Sequence, residues 1–191
     1  MVAPAPWHLQ NIKMNLNEYF MKKVLITFIA LFLVNLCISA QIQRKFFDFT
    51  LGQTTRSEVE NYLHEKRIVI VDERDNRIMV NNMRFAGTDW STVAFSFFKG
   101  KIESVYFAYD DMNNSKKSVD SLWERLQKSL NKKYSEYCSE RVSDDKKFYY
   151  RDNQTCLIYK YGSIEGTNAV ILLYWDNQLF DEQTAEEEDE L

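Results

Sequence analysis

Few side chains in this sequence have the types and spacing that chemistry needs, and they stand apart from one another. His64 is the only histidine beyond the first twenty residues. An imidazole can serve as a base or a metal ligand near neutral pH, but no cysteine or second histidine stands at ligand spacing from it. Its place near the end of a helical pattern predicts an exposed or capping histidine. The pairs Asp110-Asp111 and Asp144-Asp145 are of the type that acid and base hydrolysis uses. Each lies among Asn, Ser or Lys in a turn pattern, which predicts solvated carboxylates. There is no G-x-S-x-G elbow, no phosphate-cradling Gly-rich loop and no H-E-x-x-H. The expectation is a non-enzymatic protein with no catalytic residue, metal or cofactor, an enzyme of unknown class being the third alternative.

Cys138 and Cys156 are the cysteines left once the N-terminal segment is set aside. In an exported protein they could form a disulfide; alternatively both are small buried hydrophobes, two strands apart in a meander and too far to join.

The N-terminal segment has its own grammar. Residues 1–20 show no usable periodicity and look like an over-extended start. Met21-Lys22-Lys23 then opens a basic region, Val24 to Leu36 is an apolar run short for a membrane span, and Ile38-Ser39-Ala40 ends in the small residue that precedes signal-peptide cleavage. Residues 21–40 therefore read as a signal peptide cut before Gln41, with a retained anchor as the alternative. Cys37 follows Asn35-Leu36, which is no lipobox. The expected product is periplasmic or secreted, bacterial, and without an integral span after processing.

The rest reads as one packed domain over residues 41–180. Aromatic residues make up 15% of the chain, against five Gly and two Pro in 191 residues, which argues against long linkers. The net charge is −4, and the acids of residues 181–191 account for it, so that end reads as an acidic disordered tail. With the tail removed no basic, aromatic-laced patch remains, which excludes nucleic acid as the expected partner.

The elements follow from period and punctuation. Phe46, Phe47 and Phe49 form a hydrophobic lead-in. Thr55-Arg56-Ser57-Glu58 fits a capping box opening a helix to about Glu65, with Val59, Tyr62 and Leu63 on one face. Ile68 to Val71 reads as a strand, Glu73 to Asn76 as a turn, Ile78 to Phe85 as a strand and Gly87-Thr88-Asp89 as a break. Val93, Phe95 and Phe97 alternate with smaller residues, and the tight turn Lys99-Gly100 joins them to Val105, Phe107 and Tyr109. Asn114 or Ser115 caps a longer helix striped by Val119, Leu122, Trp123, Leu126 and Leu130. Lys147 to Tyr150, Thr155 to Tyr161 and Ile171 to Asp176 are further strands. The fold class is α+β, a tandem repeat of helix plus antiparallel β-meander over about 46–110 and 114–177, with the helices on one sheet face.

Gly52-x-Thr54 leading to Glu58-Val59, followed by Phe95-x-Phe97-x-x-Gly100-Lys101-Ile102-x-x-Val105, resembles exported bacterial domains related to the β-lactamase inhibitor protein and the small outer-membrane-assembly lipoprotein. The resemblance covers Phe46 to about Asp110 and, more faintly, Ser115 to Asp176. It implies tandem repeats whose sheet faces a partner protein, and hence a protein-binding module. A cell-envelope assembly or structural component is the alternative, with a protein or envelope component as partner in either case.

One asymmetry points to where binding would occur. In the first half the non-core strand positions are Thr92, Ala94, Ser96 and Ser104, whereas in the second both faces are apolar: Val170, Leu172 and Tyr174 alternate with Ile171, Leu173 and Trp175. A helix covers only one such face. The other is either buried between the halves or open as a recognition patch of Tyr159, Tyr161 and Trp175, or of their opposite-face neighbours if the register runs the other way.

Overall fold

The computed structural model describes residues 41–141, 146–164 and 166–189. The expected start region, signal peptide, Cys37 and the Asp144-Asp145 pair lie outside them. A short hairpin, β1 (Lys45–Phe46) and β2 (Phe49–Thr50), leads into α1 (Arg56–Glu65). The meander β3 (Ile70–Arg74), β4 (Arg77–Phe85), β5 (Thr88–Phe98) and β6 (Lys101–Asp110) follows. Next come α2 (Lys116–Tyr134), a single 3-10 turn, and the strands β7 (Cys138–Arg141), β8 (Lys147–Arg151), β9 (Thr155–Ile164) and β10 (Thr167–Asp176). A third helix, α3 (Asn177–Asp189), ends the described chain. Among the described residues no helix is long and apolar enough to cross a membrane.

The eight longer strands form one antiparallel sheet in the order β3-β4-β5-β6-β10-β9-β8-β7. Each half runs from a helix into four strands, and the last strands of the two halves, β6 and β10, pair at the centre from Ala169↔Asp110 to Trp175↔Ser104.

The capping box of α1 forms as its residues dictate: the Thr55 hydroxyl accepts from the Glu58 amide while the Glu58 carboxylate accepts from the Thr55 amide. Ser115 rather than Asn114 caps α2, accepting from the Ser118 amide. The Lys99-Gly100 turn has φ of 49° and 74°, the left-handed pair that matches the twist of a two-residue hairpin. Ala86-Gly87 does the same at 50° and 76°, so the break lies there, and Thr88 and Asp89 belong to β5. Likewise Glu73 and Arg74 extend β3, leaving only Asp75-Asn76 as the turn.

The acids from Asp181 to Asp189 are helical rather than part of a disordered tail. The Asp176 carboxylate accepts from the Leu179 amide at the start of α3, Leu179 is buried, and Lys99 pairs with Glu182 and Glu186. Composition alone undervalued these tertiary anchors for a strongly acidic segment.

The core lies between helices α1 and α2 and one sheet face. In-register rows cross six of the eight strands: Ile78, Phe95, Val105, Tyr174, Leu157 and Tyr150 make one, and Val80, Val93, Phe107, Leu172, Tyr159 and Phe148 the next, all buried. Val59 and Leu63 of α1 are fully buried in this cluster, and burying two such side chains contributes about 3–6 kcal/mol before the entropy of ordering. The lead-in aromatics fill the gap between layers, with Phe46 at 4.7 Å from the Tyr174 ring and Phe49 edge-on to Tyr62 at 4.8 Å. Gly52, at φ 73°, is required where it stands: a Cβ there would lie 2.5 Å from the Asp176 carboxylate.

Candidate protein-binding site

Helices α1 and α2 lie on the same side of the sheet. Trp123 of α2 stacks on Tyr159 at 4.2 Å, and the Tyr161 and Tyr150 hydroxyls donate to Asp120 and Asn131 of the same helix at 2.7 and 2.6 Å. On the α1 side, Phe49 bridges Tyr62 to Phe95, and the Arg56 guanidinium lies over the Phe97 ring.

This arrangement divides the expected patch. Tyr159 is 0% exposed beneath Trp123, and Tyr161 is half-buried beside it. Burial pushes the Tyr159 hydroxyl far above its ordinary range and, helped by Asp120, lifts that of Tyr161 to about 12. Trp175 belongs to the opposite face, because Tyr159 is opposite Leu172 and Trp175 opposite Cys156, an odd number of residues along each strand. Tyr159, Tyr161 and Trp175 therefore do not form one surface: the two tyrosines serve the α2 interface and Trp175 looks the other way, against Phe180 of α3 at 5.3 Å.

The face carrying Trp175 has a row of its own. Met79, Ala94, Tyr106, Leu173, Ile158 and Tyr149 are opposite one another on six successive strands. Ala94 is buried between its neighbours and the other five are half-buried. Flanking rows read Thr92, Ala108, Ile171, Lys160, Lys147 and Ser96, Ser104, Trp175, Cys156, Arg151. The large apolar residues concentrate on β10, as Ile171, Leu173 and Trp175, while β9 and β8 add Ile158 and Tyr149 between Lys160, Cys156, Lys147 and Arg151. Helix α3 reaches the row of Trp175 and Arg151, through Phe180 at 5.3 Å and Asp181 at 3.8 Å. Burial, with Asp110 nearby, holds the Tyr106 phenol above its ordinary range, which keeps it a neutral donor and acceptor. Alternation along β6 turns Tyr106 away from Val105 and Phe107, but gives no reason to single out Ile158 or Tyr149, whose value comes from cross-strand register.

The remaining candidates have structural occupations. Cys156 is a free, buried thiol whose proton affinity burial raises to about 11. The whole of β8 separates its strand from that of Cys138, roughly 9.5 Å at the usual strand spacing, beyond disulfide reach. The Cys138–Cys156 bridge is therefore not formed. Asp110 accepts from the Asn113 amide and side chain, and Asp111 from the Asn168 amide and side chain, so this pair fixes the turn into α2 and the start of β10. His64 is exposed in the last turn of α1.

Glu103 is the acid most at odds with its surroundings. It sits 8% exposed at the bulge where β6 slips against β5. Burial, then Glu187 and Asp176, raises its pKa from the ordinary 4.5. A carboxyl whose folded pKa is raised favours the native state when protonated, and that advantage is lost as pH climbs through the folded pKa. Glu103→Gln is therefore expected to raise the melting temperature at about pH 7 and to leave it nearly unchanged at about pH 3. Thermal melts of both proteins across that range check it, and a variant equally or less stable at neutral pH would contradict the assignment.

No protein-family model, curated protein or solved structure matches this chain.

Proposed function

We propose that the chain is an exported, non-enzymatic protein-binding module, built as a tandem repeat, that binds through the uncovered face of its sheet. The observation carrying this reading is the in-register row of Tyr106, Leu173, Ile158 and Tyr149 on four adjacent strands, with no described helix over it. An antiparallel sheet with one wet face ordinarily alternates apolar and polar residues. Here the second half departs from that rule on the face where a departure costs solubility. Rigid aromatic and aliphatic side chains on strands supply contact area at little entropic cost, as protein-recognition sites require. Export is carried by residues 21–40. The repeat is supported by the matching element order of the halves and by the equivalent caps Thr55 and Ser115, each accepting from the amide three residues on.

The test pairs stability with capture from a cell-envelope extract. Tyr149→Ser combined with Leu173→Thr is expected to shift the melting temperature by no more than about 5 °C while abolishing recovery of the partner that the unaltered chain retains. A partner embedded in the outer membrane would assign an assembly role. Equal recovery by both proteins, or a far larger fall in melting temperature, would show that this face is packing rather than recognition.

A further inference from the structure

Strand β3 stops short of its neighbour. It pairs with β4 only between Ile70↔Val80 and Arg74↔Arg77, whereas β4 runs on to Phe85. The stretch Asn81–Phe85 is bonded to β5 on one side, and no described segment takes backbone hydrogen bonds from its other side. The gap is set by local geometry: Arg67 at φ 55° turns the chain leaving α1, and Asn82 at φ 54° kinks β4 where β3 is lost.

An open groove of about 530 Å³ lies between this free edge and the chain leaving α1. Its floor is apolar, made by Phe47, Tyr62 and the buried Met83. Its wall carries Val69 and Val71, 74% and 47% exposed, two of the four large hydrophobic side chains exposed among the described residues. Lys66, Arg67 and Arg84 complete the lining, and no carboxylate contributes to it. Arg84 is held only loosely, 3.7 Å from Asp89 with both side chains about two-thirds or more in water.

We infer that this groove docks an extended acidic segment of a partner protein, added as a strand to the Asn81–Phe85 edge. An unpaired edge offers main-chain hydrogen bonds to any incoming strand, and five residues span about 17 Å of it. Along β3 itself a bulge at Val71 and the charges of Asp72, Glu73 and Arg74 discourage such pairing. The gap shares a kink, at Asn82, but the charges that line it are all positive. An aliphatic side chain of the guest covers Val69 and the Tyr62 ring, its carboxylates face Lys66, Arg67 and Arg84, and a basic segment is rejected by the same three cations. The site is on the sheet edge, so it stands independently of the open face proposed above.

A fluorescein-labelled hexapeptide alternating Glu and Val, titrated into the full chain and followed by anisotropy, tests this against its Lys and Val counterpart. The acidic peptide is expected to bind, to weaken at about 0.5 M salt, and to slow amide exchange at Met83 and Phe85. Lys66→Glu with Arg84→Glu is expected to weaken it roughly tenfold or more and to admit the lysine peptide. The neutral pair Lys66→Gln and Arg84→Gln should fall between. Tyr149→Ser should leave it unaltered. The inference is overturned if the acidic peptide fails to bind, if both peptides bind alike, if charge reversal changes nothing, or if protection appears at β7 instead. It is also overturned if the chain self-associates through its own acidic C-terminal helix, since the occupant is then a second copy.

Discussion

Tyr159→Ala is expected to lower the unfolding free energy by about 3–5 kcal/mol, the usual cost of emptying a fully buried aromatic site. In a chain of this size that lowers the melting temperature by on the order of 10 °C. The ring stacks on Trp123 at 4.2 Å, with Phe148 completing a three-ring cluster at 6.1 Å, and its hydroxyl donates to the Trp123 carbonyl. Removing it takes away the principal contact between α2 and the second half of the sheet. Tyr159→Phe separates the contributions: it keeps the stack and loses one hydrogen bond, for about 1 kcal/mol. Chemical denaturation of the three proteins measures both steps. If the alanine variant were as stable as the parent, Tyr159 would not be the core residue its environment makes it.

The second large effect concerns the clasp between the lead-in segment and the end of β10. The Arg44 guanidinium donates to the Gln154 and Leu51 carbonyls at 2.8 Å, to the Thr155 hydroxyl, and to the Asp176 carboxylate. Asp176 has a second duty, since its other oxygen caps α3. Arg44→Met is expected to cost about 3 kcal/mol, the low end for stripping one partner from a buried pair, because Arg44 keeps 19% of its side chain in water. Much of the loss is electrostatic, because Asp176 is left beside the buried Glu103 without the Arg44 charge. Adding Asp176→Asn to that variant should restore part of the stability. A double variant no more stable than the single one would show that Arg44 acts through the two carbonyls alone.

What the sequence determined by itself was local. Thr55 to Glu58 carries the capping box in four consecutive residues, and Lys99-Gly100 carries a left-handed hairpin turn in two, because each is satisfied by its own backbone neighbours. The alternation of Val93, Phe95 and Phe97 needed only the two-residue period of a strand to name its core side. The antiparallel α+β class, with both capped helices on one face, follows from such patterns.

Tertiary structure decided everything that depends on which residue is opposite which. Val170 to Trp175 is apolar on both faces, so no period along the chain could say whether Tyr159 shares a side with Leu172 or with Trp175. Pairing across β9 and β10 settled that, sending Tyr159 under Trp123 and Trp175 outward. The same holds for Cys138 and Cys156, which β8 keeps apart, and for the C-terminal acids, whose helix is met by Lys99 from a hairpin more than eighty residues earlier. It holds too for the gap beside Asn81–Phe85, since a strand carries no mark in its own residues of where its neighbour ends. Helix caps and turns are satisfied within a few residues, but sheet register is a relation between distant ones, and the surfaces left for binding are created by it.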